Sequence, residues 1–398
     1  MNIQQPLTAA KRIASIDLLR GTVMIIMALD HARDYLNAES FYFDPADLKQ
    51  TTAAIFFTRW ITHFCAPIFM LLAGTSAFLS GQKKTKKQLS FFLLTRGLWL
   101  VFLEMSLLSF AWSFNIHFPI IFFITVWALG VGMIVLAALI HLPKKLILAF
   151  ALVLIAGHDL LDSIHVPGNS FSAFGWAILH EQNAFQWFGK TFLVGYPLIP
   201  WVAVMALGYC LGQWYAPDYD ENKRRKNLLT IGITAVIFFI ALRSSNIYGD
   251  PVKWTEQKSP LFTFLSFINV SKYPPSLLYL SITLGVGLIF LSFTEKINNG
   301  WVKVASVFGR VPMFYYLLHI YLIHLIALLA SAFTPGQDWR LWILNEPIWE
   351  TTGLKGYGFS LPVIYVIWVL IVIALYPLCK KYDRYKQANK QNRWLSYL

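Results

Sequence analysis

The chain has 398 residues, of which 57% are hydrophobic and only 13% charged, and its formal net charge is +13. Soluble domains average about 45–50% apolar and about 25% charged residues, so this composition excludes an ordinary soluble protein and indicates an integral membrane protein. The positive charge does not indicate nucleic-acid binding, because the basic residues lie in short segments between apolar runs. Basic residues in that position orient a membrane protein.

Ten apolar runs follow one another along the chain. Because backbone polar groups in lipid must pair within their own segment, each run predicts a transmembrane helix, and together they predict an all-α polytopic bundle forming a single domain over residues 1–398. The predicted spans cover approximately residues 18–36, 61–80, 91–112, 119–140, 146–161, 192–214, 227–243, 276–293, 311–332 and 360–379. No apolar stretch with a cleavage site opens the chain, so we expect no cleavable signal peptide.

The basic residues predict that both termini face the cytoplasm, because cytoplasmic segments of membrane proteins are enriched in lysine and arginine. With ten spans and an inner N-terminus, 23 of the 33 basic residues lie on the inner side, including those of a basic cytoplasmic tail over residues 380–398. These residues are Lys11, Arg12, Arg20, Lys83, Lys84, Lys86, Lys87, Arg96, Lys144, Lys145, Lys223, Arg224, Arg225, Lys226, Lys296, Lys303, Arg310, Lys380, Lys381, Arg384, Lys386, Lys390 and Arg393. The outer side carries 13 of the 20 acidic residues and three long loops at about 162–191, 244–275 and 333–359.

The outer end of the first predicted helix carries a cluster of ionisable residues, Asp30, His31, Arg33 and Asp34. Ionisable side chains within spans are expensive, so each is a candidate functional residue. Asp30 and Asp34 lie one helical turn apart, and His31 and Asp34 share a face. A carboxylate beside an imidazole fixes its tautomer and raises its basicity, as a general base requires. The alternative is that the charges only solvate the interface and that Arg33 pairs with the carboxylates structurally.

The second predicted helix begins with a matching pair, Arg59 and His63, which are again one turn apart. Since adjacent spans run antiparallel, we expect this pair to lie at the same outer end as Asp30, His31 and Asp34. The sequence therefore predicts one mouth with two histidines, two aspartates and two arginines.

Three further ionisable residues, Glu104, His319 and His324, lie within predicted spans. A lone buried histidine is usually a core residue with its hydrogen bonds satisfied. Two on one helix, together with a buried glutamate, instead suggest a polar conduit through the bundle. Near the inner end of the first helix, Asp17 is a candidate helix cap, and Arg20 is a candidate ligand for a phosphate.

No metal site or nucleotide-binding motif is predicted. The three cysteines, Cys65, Cys210 and Cys379, are far apart and offer neither a CxxC pair nor a disulfide framework. The chain has no P-loop, no dinucleotide fingerprint and no HExxH sequence.

Several segments resemble the heparan-α-glucosaminide N-acetyltransferase catalytic-domain family. The run from Arg12 to Gly21 resembles the family's opening, and Ala66 to Ala77 is similar to its second helix. Leu29-Asp30-His31-Ala32-Arg33-Asp34, the Arg59–Phe64 segment and the run from Gly309 to His319 resemble the family's bacterial branch.

The resemblance implies a transmembrane acyltransferase that moves an acetyl group from cytoplasmic acetyl-CoA to a sugar on the far side, with a histidine as the catalytic residue. His31 is then the expected base or nucleophile, with Asp30 or Asp34 orienting it, His63 as a partner and Arg59 stabilising the oxyanion. Expected contacts with substrate or acetyl-CoA involve Arg20, Arg33, Glu104, His319 and Arg310.

These expectations define the predicted partners and one alternative function. The partners are membrane lipid, acetyl-CoA as a co-substrate rather than a permanently bound cofactor, a sugar or glycan acceptor, and a second copy of the chain in a homodimer. The predicted location is the plasma or inner membrane. The alternative is a proton-coupled transporter that uses Glu104, His319 and His324 without covalent chemistry.

Overall fold

A computed structural model describes residues 13–297, 299–392 and 395. Lys11, Arg12 and Arg393, which the topology prediction uses, lie outside the described residues, as do positions 394 and 396–398 of the predicted tail. Over these described residues the protein is mostly helical, with 69% helix and one small sheet. The predicted all-α character is thus confirmed for most of the chain, and the sheet is an addition.

The helices, labelled in chain order, are α1 Ala14–Leu36, α2 Ala53–Trp60, α3 Cys65–Gly81, α4 Lys86–Leu103, α5 Ser109–Ser113, α6 Thr125–Leu139, α7 Lys144–Gly157, α8 Phe171–Leu179, α9 Leu198–Leu211, α10 Glu221–Ser245, α11 Pro260–Ile268, α12 Leu277–Thr294, α13 Gly300–Arg310, α14 Pro312–Ala332 and α15 Leu361–Ala388. The strands are β1 Ile120–Phe123, β2 Asn183–Trp187 and β3 Lys190–Val194.

Seven helical stretches within the described residues are long and apolar enough to cross a membrane. They are Ala53–Gly81, Lys86–Ser113, Leu198–Tyr215, Glu221–Ser245, Leu277–Thr294, Pro312–Ala332 and Leu361–Ala388. Helix α1 is also long, at 23 residues, but it carries several charged side chains, and α6 is a shorter apolar helix. The protein is therefore a multi-pass membrane protein, whereas ten spans and two cytoplasmic termini stay predictions.

The sheet corrects two predicted span boundaries. Strand β3 pairs in parallel with β1 and antiparallel with β2, in the order β1-β3-β2. Predicted spans 119–140 and 192–214 thus open as strands β1 and β3, and their helices begin only at Thr125 and Leu198. The apolar run continues from strand into helix in both places, so hydropathy alone does not separate the two elements.

Helix α1 occupies the centre of the bundle, where it packs against α3, α12, α13, α14 and α15. Glycines permit its closest contact: a Cβ atom added at Gly21 would lie 1.8 Å from the carbonyl oxygen of Ala305 in α13. One added at Gly309 would lie 1.9 Å from the carbonyl oxygen of Asp17. Small residues let membrane helices approach this closely. Helix α13, which lies in a predicted inner loop, is thereby fixed against α1.

Candidate functional site

Two histidines from opposite ends of the chain meet inside the bundle. His31 near the end of α1 and His319 in α14 are buried, and Nδ1 of His31 lies 2.8 Å from Nε2 of His319. Nδ1 of His319 lies 3.0 Å from the carbonyl oxygen of Tyr315, one turn earlier in α14. The two imidazole rings are nearly parallel, with 12° between their planes and 5.0 Å between their centres.

These contacts determine where the protons lie when both rings are neutral. The carbonyl oxygen of Tyr315 only accepts, so Nδ1 of His319 carries the proton and donates. Nε2 of His319 then has a lone pair and accepts from Nδ1–H of His31. Nε2 of His31 is left with a lone pair, and the hydrogen bond that His31 makes among the described residues runs through Nδ1 instead. His31 thus has the tautomer that a base or nucleophile needs.

Aromatic side chains enclose His31. Trp112 lies edge-on to the imidazole, with ring centres 5.0 Å apart, and Tyr316 lies edge-on at 6.1 Å. Tyr35 donates a hydrogen bond of 2.6 Å to the carbonyl oxygen of Trp112, which fixes the wall to α1. Only 9% of the surface of His31 is exposed, so its reactions would take place largely out of contact with water.

A cluster of charges lies next to His31 along α1. The carboxylate of Asp30 is 2.7 Å from Arg33, 3.2 Å from Arg59 and 3.8 Å from Nζ of Lys272. Arg33 also lies 2.7 Å from Asp34. Two carboxylates therefore face three cations, which formally leaves one positive charge in excess. A partly buried excess cation favours an anionic ligand or a developing negative charge.

Sequence reasoning missed Lys272, which lies in the loop before α12 and is 9% exposed. Its neighbour Tyr273 reflects the local charge: burial raises the pKa of the phenol, but Lys272 and Arg59 outweigh that effect and hold the pKa below its ordinary value. A spacing signal is lacking because Lys272 is 242 positions from Asp30 in the chain.

The expected carboxylate partner of His31 is not what the structure shows. Asp30 and Asp34 are bound by guanidinium groups, and the partner of Nδ1 of His31 is His319. The physical reason is that guanidinium–carboxylate hydrogen bonds are among the strongest available to a carboxylate, so the arginines engage both acids. Asp30 and Asp34 thus hold the charge cluster rather than the imidazole.

Arg59 and His63 reach the same region from the second predicted helix. The hydroxyl oxygen of Thr52 accepts from the backbone N–H of Ile55 and caps α2, which carries Arg59 to Asp30. His63 lies in the following 3₁₀ turn, where its carbonyl oxygen accepts a hydrogen bond of 2.7 Å from Tyr279. Nδ1 of His63 is buried and has no partner among the described residues. His63 thus has an unsatisfied ring nitrogen, and its role stays a prediction.

Glu104, His319 and His324, which were predicted to form a polar conduit, each have different partners in the structure. Glu104 lies in a π-helical turn after α4, and its Oε2 accepts the N–H groups of Val126 and Trp127 at 2.8 and 3.0 Å. It therefore binds the positive end of α6 rather than a substrate. The two ring nitrogens of His324 lie 2.8 and 2.7 Å from two backbone carbonyl oxygens. No hydrogen bond of the described residues joins these side chains to His319.

Two of the three arginines expected to contact substrate or acetyl-CoA, Arg20 and Arg310, have partners within the protein at a distance from His31 along the chain. Arg20 donates to the carbonyl oxygen of Gly309 at 3.1 Å and to Oγ of Ser76 at 2.9 Å, so it connects α1 to α13 and α3. Arg310 forms contacts of 2.7 and 2.8 Å with Asp383 in α15. Asp17 is not the helix cap, since α1 begins after Ile13 and Asp17 lies in its first turn.

Metal-binding residue types come together at one place within the described chain. His158, Asp162 and His180 each offer a donor atom, and the donor atoms lie within 4.8 Å of one another. The sequence analysis predicted no metal site, because these residues are not arranged in a known motif.

More than half of the chain is similar to a known protein family. The sequence model described as "Heparan-alpha-glucosaminide N-acetyltransferase, catalytic" matches residues 12–249, which is more than half of the chain. No curated protein matches the chain. The matched range contains His31, Arg59 and His63 and ends before Lys272 and His319. The prediction made from the motifs is therefore confirmed, and the chain belongs to the heparan-alpha-glucosaminide N-acetyltransferase catalytic-domain family.

Proposed function

We propose that this membrane protein moves an acetyl group from cytoplasmic acetyl-CoA to an amine or hydroxyl of a sugar or glycan on the opposite side of the membrane. The family supports acetyl transfer, and one observation carries the assignment of the site. That observation is the chain of contacts from the Tyr315 carbonyl through His319 to His31, because it leaves Nε2 of His31 as an enclosed base.

His31 acts on the thioester in one of two ways. As a general base, its Nε2 takes the proton from the acceptor while the acceptor's nitrogen or oxygen attacks the thioester carbonyl. As a nucleophile, Nε2 itself attacks the carbonyl and carries the acetyl group until the acceptor replaces it. In both cases the carbon–sulfur bond breaks, and the thiolate of CoA leaves and takes up a proton.

The charge cluster stabilises the oxyanion of the tetrahedral intermediate. Only Nη1 of Arg59 takes part in hydrogen bonds of the described residues, with Asp30 and Thr62 at 3.2 Å each, so its remaining N–H groups are available to a substrate. Lys272 and Arg33 add to the positive potential. Such preorganised donors commonly contribute about 10²–10³-fold to kcat.

The position of His31 along α1 determines how far the donor must reach. From Ala14 to His31 the helix rises about 25 Å, at 1.5 Å per residue, which is most of a ~30 Å hydrocarbon core. With a cytoplasmic N-terminus, the pantetheine arm of acetyl-CoA would have to enter the bundle to bring its thioester to His31. The acceptor would approach from the outer end. Acetyl-CoA acts here as a co-substrate, and a homodimer in the plasma or inner membrane completes the proposal.

The experiment is a thiol-release assay on the purified protein in liposomes. Free CoA thiol is measured from acetyl-CoA with and without an amino sugar, for the parent protein, His31→Ala and the control His117→Ala, which changes an exposed histidine. We expect sugar-dependent release from the parent and the control and none from folded His31→Ala. Solute uptake without thiol release would instead support the proton-coupled transporter and overturn the proposal.

A further inference from the structure

Three metal-type ligands converge at the end of α7. His158 begins the 3₁₀ turn that follows α7, and Asp162 lies directly after that turn, four residues further on. His180 follows α8 as its C-cap residue. Nε2 of His180 lies 2.9 Å from a carboxylate oxygen of Asp162, and the rings of the two histidines are 5.7 Å apart. The fold thus brings two imidazoles and one carboxylate to a single point.

The two histidines are buried, yet their ring nitrogens are poorly satisfied. Each is only 2% exposed. Both nitrogens of His158, and Nδ1 of His180, have no hydrogen-bond partner among the described residues. Burying a polar group without a hydrogen-bond partner is costly, so several such atoms side by side indicate a bound water or ion. A purely structural cluster accounts for the contact between His180 and Asp162 and leaves Nε2 of His158 without a partner among the described residues.

A neighbouring carboxylate completes the arrangement that metal-binding histidines usually have. One oxygen of Asp159 lies 3.1 Å from Nδ1 of His158, and the other accepts the backbone N–H of Leu277 at 3.0 Å. Metal-ligating histidines almost always present their second ring nitrogen to a carboxylate or carbonyl. When Nδ1 of His158 carries the proton and faces Asp159, Nε2 has the lone pair that a metal ion binds.

We propose that His158, His180 and Asp162 bind a zinc ion. Two imidazoles and one carboxylate are a typical ligand set for Zn²⁺ with one open position. Ligand atoms around tetrahedral zinc lie roughly 3.3 Å apart, given Zn–N distances of ~2.0–2.1 Å. The three donor atoms lie within 4.8 Å of one another, so the widest pair has to approach by at most roughly 1.5 Å to hold the ion. This proposal does not depend on the proposed acetyl transfer.

A cavity next to two of the three ligands offers space for a fourth ligand of the ion. A cavity of about 280 Å³ is lined by Asp162, His180, Tyr273 and Pro274, among others. A water molecule or a small anionic ligand in this cavity would complete the tetrahedron. Because the ligands come from both ends of residues 158–180, zinc would also connect the end of α7 to the C-terminus of α8.

The experiment measures zinc bound to the full-length protein in detergent, after any polyhistidine tag has been removed. The protein is stripped with a chelator, dialysed against Zn²⁺ and assayed by elemental mass spectrometry, and Co²⁺ is then added as a spectroscopic probe. The variants are His158→Gln, His180→Gln and Asp162→Asn. The control is His165→Gln, whose side chain is 69% exposed and pairs with Glu181 at the same cavity.

We expect about one Zn²⁺ per chain in the parent and the control, together with the intense visible bands of four-coordinate Co²⁺. Each ligand variant should weaken zinc binding at least about 100-fold, and Asp159→Asn about 10- to 100-fold. Size-exclusion profiles identify variants that do not fold. The Co²⁺ spectrum of the parent tests the proposal even if some variants are lost in this way. Parent protein that binds no zinc, or binding that His158→Gln and Asp162→Asn leave unchanged, would overturn the proposal.

Discussion

Replacing His319 tests the chain of contacts that prepares His31. In His319→Ala, Nδ1–H of His31 loses the acceptor that lies 2.8 Å away and remains buried. The imidazole is then free to rotate or to change its tautomer, so Nε2 no longer has a fixed lone pair. Because His319 acts through His31 and not on the substrate, it is a positioning residue, and its loss should lower kcat with little change in the KM for acetyl-CoA.

The structure sets the size of the effect. A buried donor without an acceptor costs about 1–3 kcal/mol. Since about 1.4 kcal/mol corresponds to a tenfold change in rate, kcat should fall about 5- to 150-fold if that cost is paid in the transition state. His319→Gln should recover much of the loss, because its side-chain carbonyl oxygen can accept from Nδ1–H of His31.

The assay is sugar-dependent thiol release from acetyl-CoA in liposomes, with folding checked by size-exclusion chromatography. Tyr321→Phe is the matched control, since it removes a hydrogen bond of 2.7 Å between the same helix and the carbonyl oxygen of Leu107. It should leave kcat unchanged. Equal activity of His319→Ala and the parent, or a loss that His319→Gln does not reduce, would refute the positioning role.

Three further substitutions test the charge cluster and the packing. Lys272→Met should lower kcat at least about 10-fold, because it removes one cation beside the site. The protein should stay folded, because Asp30 still pairs with Arg33 and Arg59. Unchanged thiol release would contradict this prediction. Gly309→Ala should lower the free energy of unfolding by about 1–3 kcal/mol through overpacking. Gly175→Ala is the control and should not lower it, because open space surrounds Gly175. Equal decreases in the midpoint of thermal unfolding for the two variants would count against the close contact. Asp383→Asn should lower the free energy of unfolding by about 1–2 kcal/mol, because it breaks the largely buried pair with Arg310. The effect is read as a lower midpoint of thermal unfolding, and an unchanged midpoint would show that the pair contributes nothing.

Local patterns predicted what depends on neighbouring residues in the chain. The apolar runs predicted helices because lipid requires each segment to satisfy its own backbone. Spacing offered, as one alternative, that Arg33 pairs with Asp30 or Asp34, and the structure shows both pairs. The strands β1 and β3 were missed because their apolar residues merge with the helices that follow them.

Contacts between segments that are far apart in the chain could not be predicted from these local patterns. His31 and His319 are separated by 288 positions, and hydropathy places both in spans without showing that they meet. Glu104 looked like a functional acid because a charge within a span is costly, and the structure instead shows it satisfying the first N–H groups of α6. The sequence shows that a carboxyl group within a span needs hydrogen-bond partners. It does not show which helix provides them, and in the structure they come from α6.

Acetyl transfer by folded His31→Ala tests the proposed role of Nε2 of His31 most directly. Purified parent and variant are given acetyl-CoA and an amino sugar, and both the free thiol and the acetylated sugar are measured. We expect the parent to form the two products in equal amounts and the variant to form neither, while its size-exclusion profile matches the parent's. Full acetyl transfer by His31→Ala would contradict the central role of Nε2 of His31.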